Sequence, residues 1–199
     1  ILDQLEAHGY EGYAVGGCVR DSLMGREPSD WDITTCASPA SVKKLFPHTV
    51  DTGIAHGTVT VLMGREGFEV TTYRIDGEYE DSRHPREVTY TSSLEEDLKR
   101  RDFTINAMAY NEREGLVDLF EGCRDLEEGR VRCVGDPQER FSEDALRMMR
   151  AVRFCAQLGF SLEENTAGAV KDQVSSLGRI SAERVQTELV KLQVSPNPG

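Results

Sequence analysis

Tyr13-Ala14-Val15-Gly16-Gly17-Cys18-Val19-Arg20-Asp21, followed after a short loop by Asp30-Trp31-Asp32-Ile33-Thr34-Thr35, is the stretch whose reading decides the fold. Tyr13-Ala14-Val15 reads as a short strand and residues 18–24 as a short helix stopped by Gly25, with Gly16-Gly17 at the junction. Glycines lack a Cβ, so their backbone N–H groups can approach a phosphate closely, and a helix N-terminus adds partial positive charge. Arg20 can add a forked donor to phosphate oxygens. A glycine pair alone is more often a plain turn, and this one is neither GxGxxG nor a Walker loop, so Rossmann and P-loop readings fail. Trp31-Asp32-Ile33-Thr34 alternates as a strand does, which places Asp30 and Asp32, two apart, on one face. Neighbouring carboxylates repel, a cation between them relieves the repulsion, and hard oxygen ligands beside phosphate favour Mg²⁺. A pair of such ions activates an attacking hydroxyl and neutralises a leaving pyrophosphate. A lone Asp-X-Asp is more often an exposed turn; the β-like flank and the glycine junction upstream favour the metal reading here.

Outward from this stretch, residues 1–8 carry a helical pattern ended by Gly9. Ser38-Pro39 predicts an N-cap with proline at the first helical position, opening a helix to about Leu45. His56 to Met63 and Phe68 to Ile75 predict a hairpin around Gly64 and Gly67. Residues 76–93 are polar without apolar periodicity and predict a long loop, and long loops inside domains are usually functional or mobile. Leu94 to Arg101 predicts a helix, and Ala107–Tyr110 and Leu116–Leu119 two strands. The pattern changes near Asp136-Pro137. Phe141, Leu146, Met149, Val152 and Phe154 fit one long amphipathic helix stopped at Gly159. A second helix covers about residues 163–176, and Ser181 caps a third through Val185, Leu189 and Leu192. The expected architecture is α+β: a mixed-sheet head over 1–136 and an all-helical neck over 137–199.

Bulk properties narrow the function. The 199 residues suit one domain with an appendage or two small domains. No apolar run approaches a membrane span and no secretory signal opens the chain. Five cysteines, an odd number without a CxxC pair, disfavour zinc and a disulfide framework and suit a reducing, cytoplasmic setting. The net charge of −12 opposes nucleic-acid binding as a whole. Arginines nonetheless cluster at Arg100-Arg101 and recur at Arg147, Arg150 and Arg153, and local charge can oppose the total. The acidic balance predicts that most of any large RNA is held elsewhere. The helical start at Ile1 and the connector-like Val194-Ser195-Pro196-Asn197-Pro198-Gly199 predict a fragment.

Gly16-Gly17-Cys18-Val19-Arg20-Asp21 with Asp30-Trp31-Asp32 resembles the first motif of the polymerase-β-like nucleotidyltransferases. The match is to the bacterial-type branch of the tRNA nucleotidyltransferase/poly(A) polymerase family, which holds CCA-adding enzymes and bacterial poly(A) polymerases. Further motifs follow in order. They are Arg100-Arg101-Asp102-Phe103-Thr104-Ile105-Asn106-Ala107, then Asp118-Leu119-Phe120-Glu121-Gly122 with Asp125-Leu126, then Glu143-Asp144-Ala145-Leu146-Arg147, then Arg179-Ile180-Ser181-Ala182-Glu183-Arg184. The resemblance spans nearly the whole chain. It implies a polymerase-β-like nucleotidyltransferase head with Asp30 and Asp32 as catalytic Mg²⁺ ligands, and Gly16, Gly17 and Arg20 at the triphosphate. It implies CTP and ATP as donors and the 3′ end of tRNA as acceptor. A third carboxylate is expected by analogy; Glu69 is the candidate, with a solvent-facing strand residue as the equal alternative. Arg101, Arg150 and Arg153 become nucleotide contacts, and Asn106 a structural tie. The segment with Glu78, Tyr79, Asp81, Arg83, His84 and Pro85 resembles the flexible loop of members that add the terminal A, and Asp81 and Arg83 are its candidate residues.

Asp144 and Arg147, three apart on the predicted helix, share a face. They form either a surface salt bridge of little worth or a base-reading edge. Cytosine and adenine both present an amino donor beside a ring-nitrogen acceptor; guanine and uracil present the reversed polarity. A carboxylate only accepts and a guanidinium only donates, so the pair complements C and A and opposes G and U. Buried mismatches leave polar groups unpaired, which discriminates strongly. The sequence therefore predicts template-independent CCA addition. Poly(A) polymerase or A-only addition is the nearest enzymatic alternative, and a non-catalytic nucleotide- or RNA-binding module the alternative of another class.

Overall fold

Leu2–Ala7 forms the first helix, α1, in a computed structural model that describes residues 1–77 and 88–198. The chain divides into two units. The first comprises Ile1–Asp76, Val88–Arg100 and Asn106–Leu119; the second comprises Arg101–Ile105 and the chain from Phe120 onward.

The first unit continues with β1 (Gly12–Val15), α2 (Gly17–Leu23), β2 (Asp32–Thr35), α3 (Pro39–Leu45), β3 (Thr49–Gly53), β4 (Thr58–Met63) and β5 (Glu66–Thr72). Then come β6 (Arg74–Asp76), β7 (Val88–Tyr90), α4 (Leu94–Lys99), β8 (Met108–Asn111) and β9 (Gly115–Asp118). Seven strands form one mixed sheet in the order β3-β4-β5-β2-β1-β8-β9. It is mixed because β2 and β5 run parallel while the other pairs are antiparallel. Ile33 lies opposite Val70, and Val70 opposite Val59, so these apolar residues share one face. Leu5, Val42 and Phe46 belong to the same core cluster, which places α1 and α3 over that face. Period-two alternation sends the neighbours Asp32, Glu69 and Thr60 to the opposite face. Two devices read from sequence hold α3 and the β4–β5 turn. Ser38 accepts a hydrogen bond from the Ser41 amide at 3.1 Å, and Gly64 takes a left-handed φ of 66°.

Two expectations change here. Within the stretch 76–93 expected as a loop, Val88-Thr89-Tyr90, β-branched and aromatic, pairs as β7 with β6. Asp81 and Arg83, the loop residues singled out above, lie outside the described residues. The strand β3, made mostly of exposed residues, lacks the alternation that would have announced it.

The second unit holds α5 (Gly122–Glu127), β10 (Arg130–Val131), α6 (Pro137–Glu143), α7 (Leu146–Leu158), β11 (Ser161–Leu162), α8 (Glu164–Gln173) and α9 (Ala182–Gln193). Its core contains Phe103, Ile105, Val131, Phe141, Met148 and Phe154, with Phe103 edge-on to Phe154 at 5.8 Å. Phe103, Ile105, Val131 and Cys133 are thus core residues of the helical unit, so the compact units do not divide at 136/137. Nor is the neck wholly helical, since β10 and β11 form a short parallel pair. The single long helix expected through Phe141 and Phe154 is two helices, α6 and α7. Asp144 leaves the helical region (φ −144°, ψ 103°), and its Oδ1 accepts from the Leu146 amide at 3.0 Å. Ser181 takes the N-cap position of α9 without a side-chain capping bond.

A buried ion pair joins α7 to α9: Arg153 Nε donates to Glu188 Oε2 at 2.5 Å, with 7% and 5% of the two residues exposed. Burial lowers the Arg153 pKa, and the Glu188 carboxylate opposes that shift. Replacing Arg153 with methionine should leave Glu188 buried with only the Arg150 guanidinium, at 4.0 Å, to compensate it. A loss near the low end for broken buried pairs follows, about 3 kcal/mol. Urea unfolding measures it; a midpoint close to wild type would mean that water reaches Glu188.

Candidate active site

Asp32 opens β2, and its register partner on β5 is Glu69. The two side chains emerge side by side on the face opposite α1 and α3. Asp30 lies two residues ahead, before the strand rather than on it, and accepts from the Ser29 hydroxyl at 3.1 Å. The pairing of two strand carboxylates is therefore Asp32 with Glu69 across strands, not Asp30 with Asp32 along one. The pKa of Glu69 is raised by desolvation first, then by the negative charges of Asp32 and Asp30. Glu69 thus senses both aspartates.

Such a cluster fits a hard divalent cation, whose charge would remove the repulsion that raises Glu69. Among the described residues, no three His, Cys, Asp or Glu side chains already converge as a ligand set. Further oxygens would have to come from water and a phosphate substrate, the usual manner for Mg²⁺. Asp32→Asn should return the Glu69 carboxyl toward its ordinary range. Carboxyl NMR titration would show it, and an unmoved Glu69 would refute the coupling.

The glycine junction stands beside these carboxylates in sequence and is built by backbone. Gly16 adopts φ 82° and ψ −129°, a region that residues with a side chain avoid, and its amide donates to Met108 O at 3.2 Å. At Gly17 an added Cβ would make only ordinary contact, 3.7 Å from the Arg20 guanidinium. Arg20 itself is buried and held: Nε and Nη2 donate to Asp21 at 2.9 and 3.0 Å, and Nη1 to Asn106 Oδ1 at 2.6 Å. Asn106, expected to tie down backbone, ties down this arginine. Arg20, expected at the triphosphate, is thus oriented by Asp21 and Asn106.

In the second unit, Asp144 and Arg147 do not share one helix. Asp144 follows α6, and its Oδ2 accepts from Arg184 Nη2 at 2.7 Å, whereas Arg147 Nη1 donates to Glu143 Oε2 at 2.7 Å. Each is oriented by its own partner. Arg150 donates to Asp102 Oδ2 through Nε at 2.8 Å and Nη2 at 2.6 Å. Arg153, expected as a nucleotide contact, belongs to the buried pair with Glu188. Arg101 is half-buried at the start of the segment Arg101–Ile105. Sequence reasoning quoted Asp102, Glu143 and Arg184 within motifs without giving them a role, and did not name Glu188. Only Glu143, four residues before Arg147, carried a local signal.

The sequence profile of the Poly A polymerase head domain matches residues 12–132. That of the probable RNA and SrmB-binding site of polymerase A matches residues 159–199. A CCA-adding enzyme of Lactobacillus helveticus is 54% identical over 99% of this chain and 49% of its own length. One of Lactiplantibacillus plantarum is 52% identical over 100% of the chain and 49% of its own. Among solved structures, the Bacillus stearothermophilus CCA-adding enzyme in complex with CTP superposes with a TM-score of 0.91 and 47% identity, covering 98% of this chain and 47% of that one. The Thermotoga maritima CCA-adding enzyme complexed with tRNA gives a TM-score of 0.79 and 31% identity, covering 99% of this chain and 46% of that one. The chain spans about half the length of the relatives it matches.

Proposed function

The chain belongs to the family of the Poly A polymerase head domain, and on that premise we propose that it carries the chemistry of CCA addition, transferring CMP and AMP from CTP and ATP to the 3′ end of tRNA. The observation that carries the reading is the Asp32–Glu69 register pair with Asp30 beside it; desolvation first, then the charges of Asp32 and Asp30, raise Glu69. Identity above half to enzymes named for CCA addition supports this reading over poly(A) synthesis.

Mg²⁺ bound at Asp30 and Asp32 would lower the pKa of the acceptor hydroxyl and offset charge on the leaving pyrophosphate. Asp32 and Asp30 fix the ligand geometry, and Glu69, in register beside Asp32, completes the negative wall. The Gly16-Gly17 backbone receives the triphosphate, and Arg20, clamped by Asp21 and Asn106, keeps that backbone in place. Asp144 supplies the acceptor for the exocyclic amine and Arg147 the donor for the ring nitrogen of C or A. Arg101 and Arg150 offer charge to the same nucleotide, and Arg153 supports from the buried pair. The acceptor 3′ oxygen forms a bond to the α-phosphorus as the α–β bridging bond breaks, and pyrophosphate leaves. Such an enzyme works in the cytoplasm.

The test is incubation of the full-length protein with tRNA lacking CCA, supplying CTP, ATP or both. CCA addition needs both nucleotides and stops at three residues. Long A tails from ATP alone would identify a poly(A) polymerase, and extension only of tRNA already ending in CC an A-adding enzyme. Absence of Mg²⁺-dependent pyrophosphate release would leave a binding module.

A further inference from the structure

We propose that the strip of sheet beside the carboxylates, running from Val50 and Thr52 through Thr60 and Leu62 to Glu69 and Asp32, seats the terminal ribonucleotide of the RNA acceptor. The inference rests on the reading of transfer to an RNA 3′ end. By register Val50 lies opposite Thr60, Thr60 opposite Glu69, and Glu69 opposite Asp32, so their side chains share one face across four strands; Thr52, within the register shift between Val50 and Gly53, joins that face through its hydroxyl bond to Thr60. The strip is also open. Val50 is 46% and Leu62 39% exposed, and Thr52, Glu69 and Asp32 are exposed as well.

The chemistry of the strip is specific. Thr52 and Thr60 hydroxyls bond to each other at 2.7 Å. One proton is spent in that bond, so the pair keeps one free donor and spare acceptor lone pairs. A ribose hydroxyl or a phosphodiester oxygen matches that set. No lysine or arginine belongs to this row of residues, so it does not suit a triphosphate, which needs charge. It suits an acceptor end that must shift after every addition. Gly67, opposite Leu62, keeps the floor low: an added Cβ would come within 3.1 Å of Thr60 Cγ2.

Spacing assigns the parts. With the 3′ hydroxyl at Asp32 and Glu69, Thr60 stands one strand away from Glu69, about 5 Å, and Thr52 one strand further. The 2′ hydroxyl, neighbour of the reacting oxygen, falls to Thr60, and the phosphate behind it to Thr52. Val50 and Leu62 offer apolar contact to the sugar and base.

The experiment compares minihelix acceptors that end in a ribo- or a 2′-deoxynucleotide, using full-length wild type, Thr60→Val, Thr60→Ser and Thr52→Val. Valine keeps shape and strand preference while deleting the hydroxyl. Wild type should favour the ribo end by roughly fivefold to tenfold in kcat/KM, the worth of one hydrogen bond. Thr60→Val should lose that preference with the KM for CTP unchanged, Thr60→Ser should keep it, and Thr52→Val should raise the KM of both acceptors. Equal ribo preference in Thr60→Val and wild type, or no preference in wild type, overturns the inference. A fall shared by Thr60→Val and Thr60→Ser would also overturn it, marking a packing role. Complete absence of transfer by wild type overturns the proposed function itself.

Discussion

Asp32→Ala should lower nucleotide transfer by about 10³-fold or more, the several kcal/mol that metal-ion stabilisation of developing charge supplies, while leaving the unfolding transition almost in place. Asp32 is at the first position of β2, where the backbone stands in register with Glu69 of β5 and the exposed side chain adds no core area. Surface substitutions of that kind change stability by within roughly 0.5 kcal/mol. Removing Asp32 also takes away a negative charge that, after desolvation, raises Glu69. The sign is definite. A carboxyl whose folded pKa is raised weakens the fold as pH climbs above its unfolded value, so Asp32→Ala should, if anything, raise stability near neutral pH. Pyrophosphate release from CTP with tRNA, set beside a urea midpoint, separates chemistry from folding. Turnover within a few-fold of wild type would remove Asp32 from the reaction.

What the residues disclosed before any coordinates follows from how local each signal is. Ser38-Pro39 announced a helix start, and the Ser38 hydroxyl makes that cap. The Tyr13–Val15 strand, the glycine junction and Asp32 were readable because each rests on a few adjacent residues. The break at Asp144 was not, because apolar spacing runs on from Phe141 to Met148 while the carboxylate diverts the backbone. Nor were the partners that decide the second unit. Arg184 reaches Asp144 across 40 positions, Glu188 reaches Arg153 across 35, and Asp102 reaches Arg150 across 48. A helical wheel shows the arginines 147, 150 and 153 as one row; only packing shows that each answers to a different carboxylate. Glu69 lies between these cases. Its strand was legible, but its standing beside Asp32 depends on a parallel pairing that sequence alone does not reveal.

Changing the polarity at Asp144 should change which bases are accepted. Alanine is a blunt probe there, because it also removes the Oδ1 bond from the Leu146 amide, worth about 1 kcal/mol by itself. Asp144→Asn keeps an oxygen for the Leu146 amide but presents an amide group where Oδ2 now accepts from Arg184. A donor facing the exocyclic amine of C or A leaves both unpaired, at about 1–3 kcal/mol, and becomes tolerable for the carbonyl of U or G. The preference for CTP and ATP over UTP and GTP should therefore fall by roughly tenfold or more. Arg147→Met, which keeps the apolar stem and deletes the donors, should lower the same ratio while leaving Glu143 its bond from Arg140. The competing account is that Asp144 with Arg184, and Arg147 with Glu143, only brace the joint between α6, α7 and α9. Bracing acts before any base is chosen, so it would lower all four nucleotides alike. Steady-state kinetics with the four nucleotides on full-length Asp144→Asn and Arg147→Met proteins divides the two. A uniform fall with the C and A preference intact would leave these residues a structural role only.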